Sequence, residues 1–195
     1  MTGRARTARE RREAAEARRA RRAEITDPDV VMEAAALFLS VRSRSVEETR
    51  RRLRHLGYPP PLCDQVVDRL VDLGYLDDAQ FAVAWVESRD RARPRGAVAL
   101  RRELQLKGIS DETIAQVLAQ RAQAAADRDL EAGSAVVNAD HEAARKLIAK
   151  RSRSLQREAD PRRRRQKAYA LLARNGFAPD VCHEVAASVA EDDTE

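Results

Sequence analysis

Two adjacent carboxylates, Asp77 and Asp78, follow Gly74–Tyr75–Leu76 and are the first residues whose types could do chemistry. Carboxylates that share a site push their pKa values apart and can divide acid and base work. Neighbours at a helix start point in different directions, however. An aspartate there caps free amides and favours the helix dipole. Asp77 and Asp78 are therefore expected to be capping residues. The other candidates are Cys63, Cys182, His55, His141 and His183. Only Cys182–His183 lie close in sequence, and one adjacent pair does not define a metal site. The sequence contains no Gly-rich phosphate loop, nucleophile elbow or dinucleotide fingerprint. The expectation is a protein with no catalytic, cofactor or metal site, and so not an enzyme.

What remains is charge. The chain of 195 residues carries 37 Lys and Arg against 32 Asp and Glu, a net charge of +5. Residues 1–24 hold nine Arg and four Glu, so this segment accounts for the whole excess and 25–195 is neutral overall. Within the neutral part the charges segregate. Arg42, Arg44, Arg50, Arg51, Arg52 and Arg54 cluster in one segment; Arg89, Arg91, Arg93, Arg95, Arg101, Arg102 and Lys107 in a second; and Arg162–Arg165, Lys167 and Arg174 in a third. The segment after each leans acidic: Asp64, Asp68 and Asp72, then Asp111 and Glu112, then Asp180 and Glu184. If the basic segments stack in register they form one stripe, with Arg44, Arg50, Arg51, Arg54, Arg91, Arg93, Arg95, Arg101, Arg102 and Lys107 as candidate contacts. Such a stripe suits a phosphate-rich or acidic partner. Phosphate contacts give affinity and salt dependence without reading sequence.

The elements that would position these charges come from an internal repeat. Leu53–Val67, Leu104–Leu118 and Leu172–Ala186 align without gaps. Each has Leu four residues before a Gly (Gly57, Gly108, Gly176) and a large apolar residue after it (Tyr58, Ile109, Phe177). This reads as a helix, a stop at a left-handed residue, and another helix. Cys63 and Cys182 share the repeat position that Ile114 fills in the middle copy, so both are expected to be small buried hydrophobes. A further helix is expected before each pair: Val30–Val41, Asp77–Arg91 and Asn138–Arg151. The result is nine helices in three units of three, an all-α fold, with unit boundaries at 25–76, 77–127 and 128–195. The wider spacing before Gly176 predicts inserted turn and loop in 127–137 and 152–160. Tyr75 and Leu76 read as a core plug between the first two units. Residues 1–24 lack an apolar face and read as a flexible extension or a charged helix. No run is long and apolar enough to span a membrane, and no apolar stretch follows the first arginines as a secretory signal requires, so the expected location is the cytoplasm.

Gly74–Tyr75–Leu76–Asp77–Asp78, followed by Phe81–Ala82, resembles the G-Y-[IL]-[DN]-[DE]-x-x-[FY]-[AV] signature of RecX regulatory proteins. The likeness extends over roughly 30–125. The third unit shares the repeat skeleton alone, and residues 1–24 match no shared pattern. The resemblance implies tandem three-helix repeats in an elongated, curved monomer. It implies binding to the RecA filament on single-stranded DNA, more weakly to double-stranded DNA, and no cofactor. It also implies inhibition of RecA recombinase, ATPase and coprotease activity in DNA repair and the SOS response. Two other readings fit an arginine-rich helical chain: a general nucleic-acid binder and a scaffold for proteins. A base-reading helix needs exposed polar residues near its N-terminus, whereas the helices after each Gly open with Pro or an acid.

Overall fold

A computed structural model of the protein describes residues 7–131 and 138–191. Ten helices run through them in order: α1 Ala8–Ala23, α2 Pro28–Leu39, α3 Val46–Leu56, α4 Pro60–Asp72, α5 Asp78–Ala92, α6 Ala97–Leu106, α7 Asp111–Glu131, α8 Ala139–Leu155, α9 Pro161–Arg174 and α10 Pro179–Glu191. Among the described residues there is no strand. The all-α class expected from the repeat is the one observed. The chain divides into two compact units, Met1–Phe81 and Ala82–Glu195.

The Leu-x-x-x-Gly-apolar pattern is a helix stop. Gly57, Gly108 and Gly176 take φ of 102°, 81° and 78°, a region that costs other L-residues about 1–2 kcal/mol. The reversal lets the next amide reach back. Tyr58, Ile109 and Phe177 donate their N–H to the carbonyls of Leu53, Leu104 and Leu172, at 3.4, 3.2 and 3.4 Å. Both residues of each pair are buried, so one local motif ends the helix and supplies two core side chains. Cys63, Ile114 and Cys182 are fully buried at their shared position. The two thiols point at equivalent carbonyls, Tyr58 at 3.6 Å and Phe177 at 3.5 Å. Burial, then the nearby Asp64 or Asp180 charge, pushes both thiols up, which keeps them unreactive.

Gly74 repeats the stop at the end of α4, with φ 74° and the Tyr75 N–H on the Leu70 carbonyl at 2.9 Å. Here the expectation for Tyr75 fails. The Leu76 N–H also returns to Leu70, at 3.2 Å. The chain turns once more, and Leu76 enters the core at 2% exposure while Tyr75 stands 70% exposed. Leu76 packs in the first unit's core with Val31, Leu53, Tyr58, Val66 and Leu70.

Among the described residues the expected insertion is part helix, at 127–131 and 152–155, and part turn and loop as expected, at 156–160. Helix α7 continues to Glu131 and α8 to Leu155, because Ala122–Ala126 and the residues around them are strong helix formers. Residues 132–137 of the expected insertion lie outside the described residues, as do 1–6 of the basic N-terminal segment. The rest of that segment forms α1, opened by a Thr7–Glu10 capping box and burying no residue of its own.

Two long-range caps tie helices together within the units. Asp78 accepts the Val46 N–H at the start of α3 at 2.9 Å, and Asp140 accepts the Ala97 N–H at the start of α6 at 3.0 Å. Asp77 caps its own helix through the Gln80 N–H at 2.9 Å. The aspartate pair thus serves two different helices.

Candidate partner-binding surface

Helices α3 and α6 carry most of the candidate arginines, and their local setting differs. In the first unit the candidates are engaged. Arg50 bridges α3 to α4 through Asp64 at 2.9 Å and also meets Glu47 at 3.4 Å. Arg54 takes both oxygens of Asp64, at 2.9 and 3.0 Å. Arg51 pairs with Glu47 at 2.7 Å. Arg44 lies over the Phe38 ring, 4.1 Å from its centre. Burial alone would lower the affinity of Arg50 for its proton; the hydrogen bonds to Asp64 and Glu47 outweigh that and raise it. The acidic lean of α4 therefore has a structural use, holding α3 against it.

In the second unit the candidates fall into two groups. One surrounds Trp85. Its indole N–H donates to Glu103 at 2.9 Å, Arg89 meets the same carboxylate at 2.6 Å, and Arg89 and Lys107 lie 4.3 and 4.8 Å from the Trp85 ring centres. Arg95 joins this group through Glu103 at 3.6 Å and also donates to the Asn175 side chain. The other group is Arg91, Arg93, Arg101 and Arg102. All four are exposed and make no ion pair among the described residues. Helix α6 presents Arg101 and Arg102 between exposed Val98 and Leu106.

One densely bonded arginine among the described residues lies outside the candidates. Arg121 on α7 takes Asp90 through two bonds, at 2.9 and 3.0 Å, and Asp140 at 2.6 Å. Its side chain is 9% exposed. Burial disfavours its charge, but the two carboxylates outweigh that and raise its pKa. Nothing in the local sequence marks it, since both partners come from other helices. Asp140 thereby holds Arg121 and the Ala97 amide together.

Among the described residues no three His, Cys, Asp or Glu converge as a metal would need. No helix there is long and apolar enough to cross a membrane.

Three family profiles match the chain in tandem: the RecX first three-helix domain over residues 32–70, the second over 77–118 and the third over 139–185. The regulatory protein RecX of Mycobacterium ulcerans (strain Agy99) is 34% identical over 163 residues, covering 82% of this chain and 86% of the relative. The chain belongs to the RecX family. The regulatory protein RecX of Mycobacterium tuberculosis (strain ATCC 25177 / H37Ra) is 32% identical over 150 residues, which is 75% of this chain and 78% of that one. The crystal structure of RecX from Lactobacillus salivarius shares the fold, with a TM-score of 0.65 at 19% identity over 83% of this chain and 96% of that one. The RecX third-domain match covers the segment for which the sequence offered only a repeat skeleton. Helix α1 lies outside all three matched domains.

Proposed function

We propose that this RecX-family regulator binds the RecA filament on single-stranded DNA and modulates, mainly by inhibition, the recombinase, ATPase and coprotease activities of RecA in DNA repair and the SOS response. The observation that carries the reading is the tandem match of three RecX domains across residues 32–185. The exposed guanidinium groups of Arg91, Arg93, Arg101 and Arg102 support it, because they are available to phosphates or to carboxylates of a protein lattice. The protein acts as a cytoplasmic monomer, by occupancy and without a cofactor or chemistry of its own, and it holds double-stranded DNA more weakly. The test is a titration of RecA ATPase on single-stranded DNA. Inhibition at or below one molecule per RecA is the expected result. Inhibition that appears only when the DNA lattice is saturated would make the protein a general nucleic-acid binder, and no effect would make it a scaffold; either overturns the proposal.

A further inference from the structure

The first unit holds two populations of arginine. Arg50, Arg51 and Arg54 are tied to Asp64 and Glu47. A second set lies between α1 and α3 instead. Between α1 and α3 runs an open cleft of about 430 Å³, lined by Arg18, Arg19, Arg22, Arg52 and His55, with Glu16 the acidic residue among its described walls. Arg18 and Arg52 are exposed and make no ion pair among the described residues. Arg22 is held in place by the Leu56 carbonyl at 3.4 Å and by the Tyr58 ring at 5.5 Å.

The seat of α1 is built into the turn below it. A Cβ on Gly57 would collide with the Arg19 side chain and lie 2.8 Å from the Arg19 carbonyl oxygen. The α3–α4 turn accepts α1 there because residue 57 has no side chain. Four arginines thus line one concavity with a single carboxylate, the Arg52 guanidinium also lying 5.8 Å from the Phe38 ring centre. Low-dielectric walls focus such a field and raise the local concentration of anions. The planar forks of arginine suit phosphate oxygens in pairs. Arg11, Arg18 and Arg22 fall with the cleft-lining Ala15 on one face of α1 and span about 16 Å at 1.5 Å per residue. That length fits a linear polyanion better than one small ion. An acidic protein segment fits less well, because the cleft walls hold no large aromatic pocket of the kind protein interfaces centre on; Ala15 and Leu56 are their aliphatic residues.

We infer that the α1–α3 cleft binds backbone phosphates of single-stranded nucleic acid. The choice of a single strand rests on the filament reading above; the phosphate chemistry does not. One wall of the cleft, α1, precedes the first matched domain, and the other, α3, belongs to it.

The test uses the full chain and a fluorescent oligothymidylate, with anisotropy read between 50 and 200 mM NaCl. Arg18→Glu with Arg52→Glu should weaken binding about tenfold at low salt and make the log–log salt slope shallower by about 1.4, the change expected when two single-strand phosphates are no longer neutralised. Arg18→Gln with Arg52→Gln should move both readouts the same way by less. Arg69→Glu with Arg153→Glu, an equal change of net charge at exposed positions outside the cleft, should leave the slope near that of the parent. Equal losses of affinity for the cleft pair and this control overturn the cleft, as does an unchanged slope in the cleft variants. A weakening seen on RecA filaments but not on bare oligothymidylate also overturns it, by placing protein there. A parent chain that binds oligothymidylate through the cleft yet ignores filaments keeps this inference and removes the filament reading. The reverse pattern removes the cleft alone.

Discussion

The Asp78 carboxylate accepts the backbone N–H of Val46, 32 residues earlier, at 2.9 Å. It therefore caps a helix to which it does not belong. Ser45 and Glu48 already form a capping box at the same helix start, so three side chains serve the first turn of α3. Burial pushes the Asp78 carboxyl up, partly offset by the Val46 amide, with the Asp77 charge pushing the same way as burial. The folded state thus binds this proton more tightly than the unfolded chain does. Asp78 should make stability fall as pH rises from its unfolded value, about 3.9, through its raised folded one. Asp78→Asn keeps the acceptor and removes the charge, so it should match or exceed the parent and flatten that slope. Asp78→Ala should lose about 1 kcal/mol, as a missing cap does. Urea denaturation at several pH values checks both.

Arg121 should be the most sensitive charged residue in the second unit. Its two carboxylate partners sit on α5 and α8, and it also reaches the Ala139 and Arg95 carbonyls at 3.4 and 3.5 Å. Removing the cation leaves Asp90 and Asp140 facing each other, partly desolvated. Breaking a buried pair this way costs about 3–5 kcal/mol. Arg121→Ala should therefore lose that much stability in chemical denaturation. Arg121→Lys should recover only part of it, because an ammonium cannot make the paired bonds to Asp90.

How much of this was legible follows from distance along the chain. The helix stops were readable because Leu53, Gly57 and Tyr58 make their own motif within six residues. The burial of Cys63 and Cys182 was readable from Ile114 in the same register. Helix α7 was readable in principle, since the alanines at 122 and 124–126 favour helix, but the spacing argument assigned its end to a loop. Asp78 reads as an ordinary helix-start acid and Asp140 carries no signal of its own; their amide partners stand 32 and 43 residues away, where no spacing rule reaches. Arg121 escaped for the same reason. Of the expected plug Leu76 alone takes a core place, because a second return bond to Leu70 turns the chain once more and leaves Tyr75 outside. The arginine segments were visible as charge, but which were neutralised depends on the helix packed against each.

Gly96 and Gly74 should respond very differently to the same substitution. Gly96 donates its N–H to the Asn175 carbonyl at 3.1 Å, and a Cβ there would collide with the backbone of Gly176 and Phe177. Since backbone cannot swing aside, Gly96→Ala should cost several kcal/mol, at or beyond the upper end of about 1–3 kcal/mol for overpacking. A Cβ on Gly74 meets nothing within 4 Å, and only its φ of 74° opposes a side chain. Gly74→Ala should cost about 1 kcal/mol. Thermal melts of the two variants, run side by side, test whether close backbone approach or helix-stop geometry sets the demand for glycine.

The arginines of α3 and α6 should separate stability from binding. Arg50 and Arg54 hold α4 through Asp64, so replacing either with Met should lower stability by about 1 kcal/mol or less, as partly exposed pairs do. Arg101 and Arg102 make no ion pair among the described residues, so reversing both should leave the melting temperature within a degree or two. The same reversal should weaken binding to RecA filaments and make its salt dependence shallower, by about 0.7 for each single-strand phosphate that is no longer neutralised. Reversing Arg51 would mix the two effects, because it also breaks the pair with Glu47. Filament co-sedimentation across a salt series, paired with melts of the same preparations, reads both quantities. Unchanged filament affinity for the Arg101→Glu, Arg102→Glu chain at every salt would remove α6 from the binding surface.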